Sequence, residues 1–236
     1  MIKHWNEIIP NYLFPAVCLL CGNRGEQSQD LCLRCRQNLI ANQYCCQCCG
    51  QVFDETEQQL ICGRCQHTPP YFDKVYAPYV YQSAIRYLLL QLKFQRRYQI
   101  SRLLGTLLGE HLKQFSPLPE CLIAVPLHRS RYRQRGFNQS LEITKIMAKQ
   151  LAIPIDYKGC SRPLNTEKQS TLPMKQRVKN VKNAFAVKKK LNWRHIALVD
   201  DVMTTGSTVN ELARVLKQAG VIKVDIWVCA RAGALK

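Results

Sequence analysis

Cysteine pairs dominate the first part of this sequence. The chain has 236 residues and 13 cysteines, and ten of these cysteines lie between Cys18 and Cys65. Most of them form Cys-x-x-Cys pairs. Each pair can offer two thiolates to one metal ion, and two pairs complete a tetrahedral zinc site. We therefore predict a small N-terminal Cys-rich domain that needs two structural Zn²⁺ ions in order to fold.

The ligands of the second zinc site can be chosen in two ways. In the cluster Cys45–Cys49, two overlapping Cys-x-x-Cys pairs have the same spacing, which leaves Cys45/Cys48 as an alternative. We favour the later pair because Gly50 follows it, just as Gly22 follows the first pair of the chain. A glycine there permits the positive φ that a tight metal-binding turn requires. The predicted ligands are Cys18, Cys21, Cys32 and Cys35 for one ion, and Cys46, Cys49, Cys62 and Cys65 for the other.

The same cysteines could instead form disulfides, which would require an oxidising compartment. The apolar stretch between residues 8 and 21 is interrupted by Pro10, Asn11 and Pro15, so it makes a poor signal sequence. No later stretch reaches the roughly 20 apolar residues that a membrane span needs. We therefore expect reduced cysteines in a cytoplasmic protein that has no transmembrane segment.

Charge divides the chain into two unlike parts. The chain has 34 basic and 16 acidic residues. Residues 1–70 contain five of the basic and six of the acidic residues, so residues 71–236 contain 29 basic and 10 acidic residues. Pro69 and Pro70 lie between these parts and predict a boundary, with a zinc-binding domain at 1–70 and a second domain at 71–236. The positive second domain would attract polyanions or phosphate-bearing ligands.

The second domain alternates between strand patterns and helix patterns. The predicted strands are 77–81, 121–125, 155–160, 196–199 and 221–230, and the predicted helices begin at Ser83 and cover 100–115, 140–150 and 208–219. This alternation predicts an α/β fold with a doubly wound parallel sheet.

The most specific motif of this domain is a buried strand, Ile196–Val199, that runs into Asp200 and Asp201. A hydroxyl-rich turn, Thr204–Thr208, then leads into the last helix. A helix N-terminus favours a phosphate, and carboxylates accept hydrogen bonds from sugar hydroxyls. In open α/β sheets, ligands bind at the carboxyl ends of the strands, which is where this motif lies. The motif therefore predicts a site for a phosphorylated ribose, although an ordinary strand–turn–helix capped by Ser207 would also fit the pattern.

Two basic segments could complete this site. Residues 126–139 carry arginines at four alternate positions, which suit oligophosphate, although an extended segment could not point all four the same way. Residues 162–185, here called the hood segment, begin a stretch to Arg194 with ten basic residues against the single acid Glu167. The hood segment could cover the ligand, bind nucleic acid, or be a solvated linker. The predicted hood or DNA contacts are Arg135, Asn138, Gln139, Gln169, Arg177 and Lys179.

The acidic strand–turn–helix resembles the motif of type I phosphoribosyltransferases that binds phosphoribosyl pyrophosphate (PRPP). This resemblance implies the parallel-sheet fold of that class and a PRPP ligand accompanied by Mg²⁺. It places the ribose diol on the acidic pair, the 5′-phosphate on the turn, and pyrophosphate on a loop after the first core strand. The implied PRPP-binding residues are Asp200, Asp201, Val202, Met203, Thr204, Thr205, Gly206, Ser207 and Thr208, and the implied pyrophosphate loop is Leu127, His128 and Arg129.

One position departs from that motif. Many enzymes of the class carry an acid where this chain has Thr204, and the acid manages a proton on the attacking base. A threonine hydroxyl does not ionise near neutral pH, so it cannot act as a general base. PRPP binding is therefore better supported by the sequence than transfer to a base is.

Nearly the whole chain resembles the ComF family of competence proteins. The resemblance rests on Cys18–Gly22, Cys62–Cys65, Gln91–Phe94, Arg135–Ser140, Asn180–Phe185 and Asp200–Thr208. It implies a factor that promotes uptake of single-stranded DNA across the inner membrane into the cytoplasm during natural transformation. The implied partners are single-stranded DNA and a helicase or channel of the competence machinery, and the implied location is cytoplasmic or peripheral at the inner membrane.

Three hypotheses follow from these resemblances. In the favoured one, PRPP binding regulates a DNA-uptake factor and no base is transferred. In the second, the protein is an active phosphoribosyltransferase with an unidentified acceptor. In the third, the phosphate site is a relic, and the protein is a zinc-organised adaptor for DNA and proteins.

Overall fold

The computed structural model describes residues 15–26, 29–54, 59–95, 97–166, 174–188 and 190–233. Within them the helices are α1 (Leu33–Gln37), α2 (Gly63–His67), α3 (Ser83–Gln95), α4 (Tyr98–Leu112), α5 (Arg129–Arg135), α6 (Gln139–Leu151), α7 (Met174–Val181) and α8 (Ser207–Gln218). The strands are β1 (Lys74–Tyr76), β2 (Tyr79–Val80), β3 (Cys121–Ala124), β4 (Cys160–Ser161), β5 (Ala186–Val187), β6 (His195–Met203) and β7 (Lys223–Arg231). No helix of this described part combines the length and the apolarity that crossing a membrane requires.

The main sheet is parallel throughout and follows the order β1-β7-β6-β3, with β2 also paired to β7. Strands β6 and β7 form its centre and are almost entirely buried, as their continuous runs of apolar residues predict. Strands β4 and β5 form a separate antiparallel pair. The predicted parallel-sheet α/β fold is therefore confirmed, together with its small Cys-rich N-terminal part.

Successive residues of β6 point to opposite faces of the sheet, and each face has its own core. One core combines Leu88 of α3, Leu104 of α4 and Met147 of α6 with Cys18 and Leu31 from the Cys-rich part. In the other core, α8 and one face of β7 pack against cysteines of the second predicted zinc site. The Cys-rich part therefore contributes to the packing on both faces of the sheet.

Three predicted strands differ from those observed. The strand predicted at 77–81 is reduced to β2, and the preceding β1 was not predicted. The strand predicted at 196–199 continues to Met203, because β7 pairs with it along its whole length. The strand predicted at 155–160 does not form. Ile155 makes one parallel bridge to Leu122, and the Asp156 carboxylate then accepts hydrogen bonds from the backbone of Lys158 and Gly159, which turns the chain away.

Candidate functional site

Two clusters of four cysteines lie in the Cys-rich part. In each cluster the sulfur atoms all lie within 4.8 Å of one another, and the members are Cys18, Cys21, Cys32 and Cys35 in one and Cys46, Cys49, Cys62 and Cys65 in the other. The Sγ atoms of Cys49 and Cys62 are 3.7 Å apart, far longer than a disulfide bond, and the cysteines of the described residues are free thiols. An all-thiolate set of four is typical of structural zinc. The two clusters therefore fit two Zn²⁺ ions.

Each cluster contains the same tight turn after its first cysteine pair. The amide of Gly22 donates to Cys18 O at 2.9 Å, and the amide of Gly50 donates to Cys46 O at 2.8 Å. Both glycines have positive φ, of 77° and 65°. The structure thus brings the pair before Gly50 into the second cluster and leaves Cys45 and Cys48 outside it.

Backbone amides favour ionisation of one cysteine in each cluster. Burial opposes ionisation of Cys18, but hydrogen bonds from backbone N–H groups outweigh it and lower the pKa of Cys18 to about 6. The same competition, with the amide of Gln51 as the largest favourable contribution, lowers the pKa of Cys49 to about 7. In the same clusters, burial raises the pKa of Cys35 to about 12 and also raises the pKa of Cys65. The thiolate that binds zinc is therefore favoured at Cys18 and Cys49 and disfavoured at these other two cysteines.

The acidic pair lies near the end of β6, and each carboxylate has its own partner. Ser140 Oγ donates to Asp200 Oδ1 at 2.7 Å, and Lys93 Nζ lies 2.7 Å from Asp201 Oδ2. Ser140 is placed by Asn138, whose side chain caps α6 and donates to Val125 O at 3.0 Å. The N-terminus of α6 is thereby fixed against the acidic pair.

Burial and mutual repulsion affect the ionisation of the two carboxylates differently. Burial, followed by the charge of Asp201, raises the pKa of Asp200 to about 7. For Lys93, burial alone would lower the pKa, but the Asp201 carboxylate outweighs it and raises the pKa instead. Asp201 is thus paired with the half-buried Lys93, whereas ionisation of Asp200 is disfavoured unless a bound cation or a further hydrogen-bond donor stabilises its charge. The sequence indicated the acidic pair but did not assign this role to Lys93.

The turn after β6 leaves the start of α8 open. Gly206 is the N-cap residue with φ of 81°, and its position gives the helix no side-chain cap. This positive φ favours glycine, because a residue with a side chain would be strained there. Ser207 is the first helical residue and not the cap; its amide donates to Thr205 Oγ1 at 3.3 Å, and the two hydroxyls lie 2.8 Å apart. Gly206 has no side chain with which to cap the N–H groups that follow Ser207, so this helix start suits an anion.

The arginine-rich segment after β3 is helical and not extended. His128 caps α5 by accepting from the amide of Ser130 at 3.2 Å. The helical period places Arg131 and Arg135 on one face, and both line the same cavity as the acidic pair. Of the residues predicted for the pyrophosphate loop, Leu127 lines this cavity, whereas His128 is the cap and Arg129 is exposed beyond the lining.

A cavity of about 770 Å³ joins these elements at the carboxyl edge of the sheet. Every residue from Asp200 to Thr208 lines it, together with the basic residues Lys93, Arg131, Arg135, Arg162 and Arg177. Of the predicted hood or DNA contacts, Gln139 also lines the cavity, Asn138 is the buried cap of α6, Lys179 is exposed, and Gln169 lies outside the described residues.

Buried polar donors line the same cavity as the acidic pair. Arg162 is 6% exposed, lies over the Phe185 ring at 5.2 Å and donates to Thr166 Oγ1. Burial, followed by the charge of Arg131, lowers the pKa of Arg162 to about 10. The Nε atom of Arg162 and the Nε2 atom of Gln139 have no hydrogen-bond partner among the described residues. Buried unpaired donors on a cationic wall fit a polyanionic ligand.

The fold and these sites define a class of protein: two zinc ribbons packed on a parallel α/β domain that has a cavity lined by arginines and an acidic pair at its sheet edge. Residues 9–66 match the double zinc ribbon domain. Competence protein F of Haemophilus influenzae is 34% identical over 224 residues, which cover 91% of this chain and 96% of that protein. The chain belongs to the ComF family of competence proteins, as its sequence motifs predict.

Two further relatives also match this chain over nearly their whole length. The DNA utilization protein YhgH of Escherichia coli is 33% identical over 228 residues, covering 92% of this chain and 97% of that protein. Competence protein ComFC of Streptococcus pneumoniae is 26% identical over 237 residues, covering 91% and 99%. Among solved structures, the purine phosphoribosyltransferase of Pyrococcus horikoshii shares 16% identity with a TM-score of 0.35 over 57% of this chain and 74% of that one. The fold assignment rests on the sheet topology and not on that likeness.

Proposed function

We propose that this protein is a PRPP-binding competence factor that promotes uptake of single-stranded transforming DNA across the inner membrane into the cytoplasm. The observation that carries the proposal is a single cavity lined by both the acidic pair and the start of α8. These two features are suited to the two ends of a ribose 5′-phosphate, the diol and the phosphate.

The charge around the cavity supports a ligand with more than one phosphate. Arg131, Arg135, Arg162 and Arg177 lie on its wall, whereas the only carboxylates among its lining residues are Asp200 and Asp201. PRPP carries a pyrophosphate in addition to its 5′-phosphate, and arginine pairs well with phosphate oxygens. Mg²⁺ accompanying PRPP would neutralise part of this phosphate charge, and the carboxylate of Asp200 is a hard oxygen donor suited to it.

The DNA-binding part of the proposal rests on surface charge and on the named relatives. Residues 71–236 carry 29 basic against 10 acidic residues, and Lys179 and Lys182 of the hood segment are exposed. Such a surface attracts a nucleic-acid backbone without reading its sequence. The relatives named for competence and for DNA utilization support the same partner. A helicase or channel of the uptake machinery at the inner membrane is the proposed protein partner.

Binding without transfer is preferred to phosphoribosyltransferase activity for a specific reason. At Thr204 the structure has a hydroxyl that accepts a hydrogen bond from Arg177 Nη1 at 3.3 Å. A cation beside this hydroxyl makes it an even poorer proton acceptor. An acceptor that needs no deprotonation would avoid this difficulty, so the second candidate function is transfer to such an acceptor. Release of pyrophosphate from Mg–PRPP in an acceptor screen would establish it.

Calorimetric titration of Mg–PRPP tests the proposal. We expect binding by the zinc-loaded wild type, and binding at least about a hundredfold weaker in Asp200→Asn/Asp201→Asn, because each hydrogen bond to an ionised group contributes about 1.5–3 kcal/mol. The variant Asp54→Asn/Glu142→Gln removes the same charge away from the cavity lining and should bind like the wild type. A folded, zinc-loaded wild type that does not bind Mg–PRPP would contradict the proposal.

A further inference from the structure

The second cysteine cluster is linked to the phosphate turn by a buried arginine. Arg231, the last residue of β7, is 0% exposed. Its Nε donates to Cys49 O at 3.0 Å, while its Nη1 donates to Met203 O at 3.1 Å and also to Thr204 O. One guanidinium group therefore holds the backbone of a zinc ligand and the beginning of the turn at the same time.

A second arginine makes the same connection from within the cluster. Arg64 lies between Cys62 and Cys65, and its Nη1 donates to Thr205 O at 3.1 Å. Three consecutive carbonyls, those of Met203, Thr204 and Thr205, are thus bonded to guanidinium groups.

These bonds determine the direction of the amides that follow. In a planar trans peptide, the C=O and the next N–H point in opposite directions. Holding the carbonyls of Thr204 and Thr205 on the zinc side therefore turns the N–H groups of Thr205 and Gly206 away from it. The same residues line the cavity, where N–H groups are the donors that a phosphate needs.

We propose that the second zinc centre is part of the phosphate-binding site, with Arg231 and Arg64 as positioning residues that hold the Met203–Gly206 turn in its binding conformation. Zinc at Cys46, Cys49, Cys62 and Cys65 is then required for ribose-phosphate binding beyond its effect on folding. This inference rests on the proposed PRPP site.

The first zinc centre provides the matched control, because its contacts lead elsewhere. Around it, Arg36 Nη1 bonds to Glu110 Oε2 at 3.1 Å, and Asp30 pairs with Arg102. Both partners belong to α4, and no residue of α4 lines the cavity. Arg34 occupies the position in the first centre that Arg64 occupies in the second, between the last two cysteines of its site.

The first experiment compares Arg64→Met with Arg34→Met in a Mg–PRPP titration by calorimetry. Both side chains are exposed and both variants keep all eight ligand cysteines, so folding and zinc content should be unchanged. We expect about fivefold weaker binding for Arg64→Met, the effect of one charge-assisted hydrogen bond in a partly solvated place, and no change for Arg34→Met. Equal affinities in the two variants would overturn the inference.

The second experiment measures the local stability of the turn in the ligand-free protein. Amide hydrogen exchange of peptides that cover residues 203–209 should be faster in Arg64→Met than in Arg34→Met, and faster in Cys62→Ser than in Cys21→Ser at matched loss of one zinc per chain. Arg231→Lys keeps the buried charge but loses donors, and it should fall between the wild type and Cys62→Ser in this exchange. Unchanged exchange in Arg64→Met would contradict the inference.

These two readouts separate the inference from the proposed function. If the wild type binds no PRPP, the proposed function fails, and the exchange data alone show whether the zinc centre holds the turn. If the wild type binds PRPP but Arg64→Met alters neither affinity nor exchange, the inference fails and the proposed function stands.

Discussion

Asp200 and Asp201 are neighbours in sequence but have different surroundings. Asp201 pairs with Lys93, whereas Asp200 lies partly buried beside the Asp201 carboxylate and accepts from one hydroxyl, that of Ser140. The result is a carboxyl group whose pKa is raised to about 7, mainly by burial. A ligand hydroxyl or a cation would relieve this cost, which is a reason for such a residue to lie in a binding cavity.

This raised pKa predicts a pH dependence of stability. The native state holds the Asp200 proton at pH values where the unfolded chain has released it, so the free energy of unfolding falls as pH rises toward 7. The variant Asp200→Asn has no proton to release at this position, so this fall in the free energy of unfolding is absent from it. Between pH 5.5 and 8, we expect the variant to gain about 2 kcal/mol relative to the ligand-free wild type, measured by urea unfolding.

Two comparisons make that measurement specific. Protonation of zinc-bound thiols affects the wild type and the variant alike, so it cancels in their difference. Glu142→Gln, in a surface pair with Lys145, should show no comparable gain. Parallel stability curves for Asp200→Asn and the wild type would show that Asp200 is already ionised in the native state.

At the scale of secondary-structure elements, helical period decides which basic side chains reach the cavity. In α5, Arg131 and Arg135 share the cavity face. In α7, Arg177 approaches Thr204, whereas Lys179 lies two positions further along and is exposed. The basic residues of the hood segment whose side chains the structure describes are therefore divided between the cavity and the outer surface.

This division predicts that DNA binding and PRPP binding can be altered separately. Lys179→Gln/Lys182→Gln should weaken binding of a single-stranded oligonucleotide and reduce its salt slope by about 1.4, the contribution of two phosphate contacts, with unchanged PRPP affinity. Fluorescence anisotropy over a salt series measures this slope. The control Lys145→Gln/Lys149→Gln removes two exposed lysines from α6 and should leave the slope unchanged. An identical effect of both double variants would indicate only a loss of general positive charge.

At the scale of the whole molecule, the zinc ribbons are part of both cores. Cys18 and Leu31 pack into one core and Cys46 and Cys49 into the other, one on each face of the sheet. The carbonyl of Cys48 also accepts from the amide of Val75 in β1 at 3.0 Å. Loss of either ion would therefore loosen packing that belongs to the α/β domain.

Metal removal should consequently destabilise the whole described fold and not the Cys-rich part alone. On chelation of both ions, we expect the unfolding temperature to fall by more than 10 °C, roughly the effect of a few kcal/mol on a chain of this size. Calorimetry and circular dichroism should give a single transition at the same temperature. A lower transition for the Cys-rich part followed by an unchanged α/β transition would contradict this view, and return of zinc should restore the original temperature.

Local patterns in the sequence were sufficient to predict the two zinc sites and the parallel α/β fold. Cysteine spacing and Gly50 indicate the cluster that the structure brings together, because a metal-binding turn involves residues only a few positions apart. The strand, the acidic pair and the helix start also follow one another in the chain. Periodicity and turn chemistry are properties of neighbouring residues, so they can be identified without tertiary structure.

Only the tertiary structure decided which distant side chains meet. It brought Lys93 to Asp201, placed Arg162 on the cavity wall, and joined Arg231 to Cys49 across 182 positions of the chain. It also turned the arginines after β3 onto a helix, which selects Arg131 and Arg135 for the cavity. Such contacts depend on how strands and helices pack in three dimensions. A sequence pattern therefore indicates the chemistry of each segment, while the packing of the segments determines which groups act together.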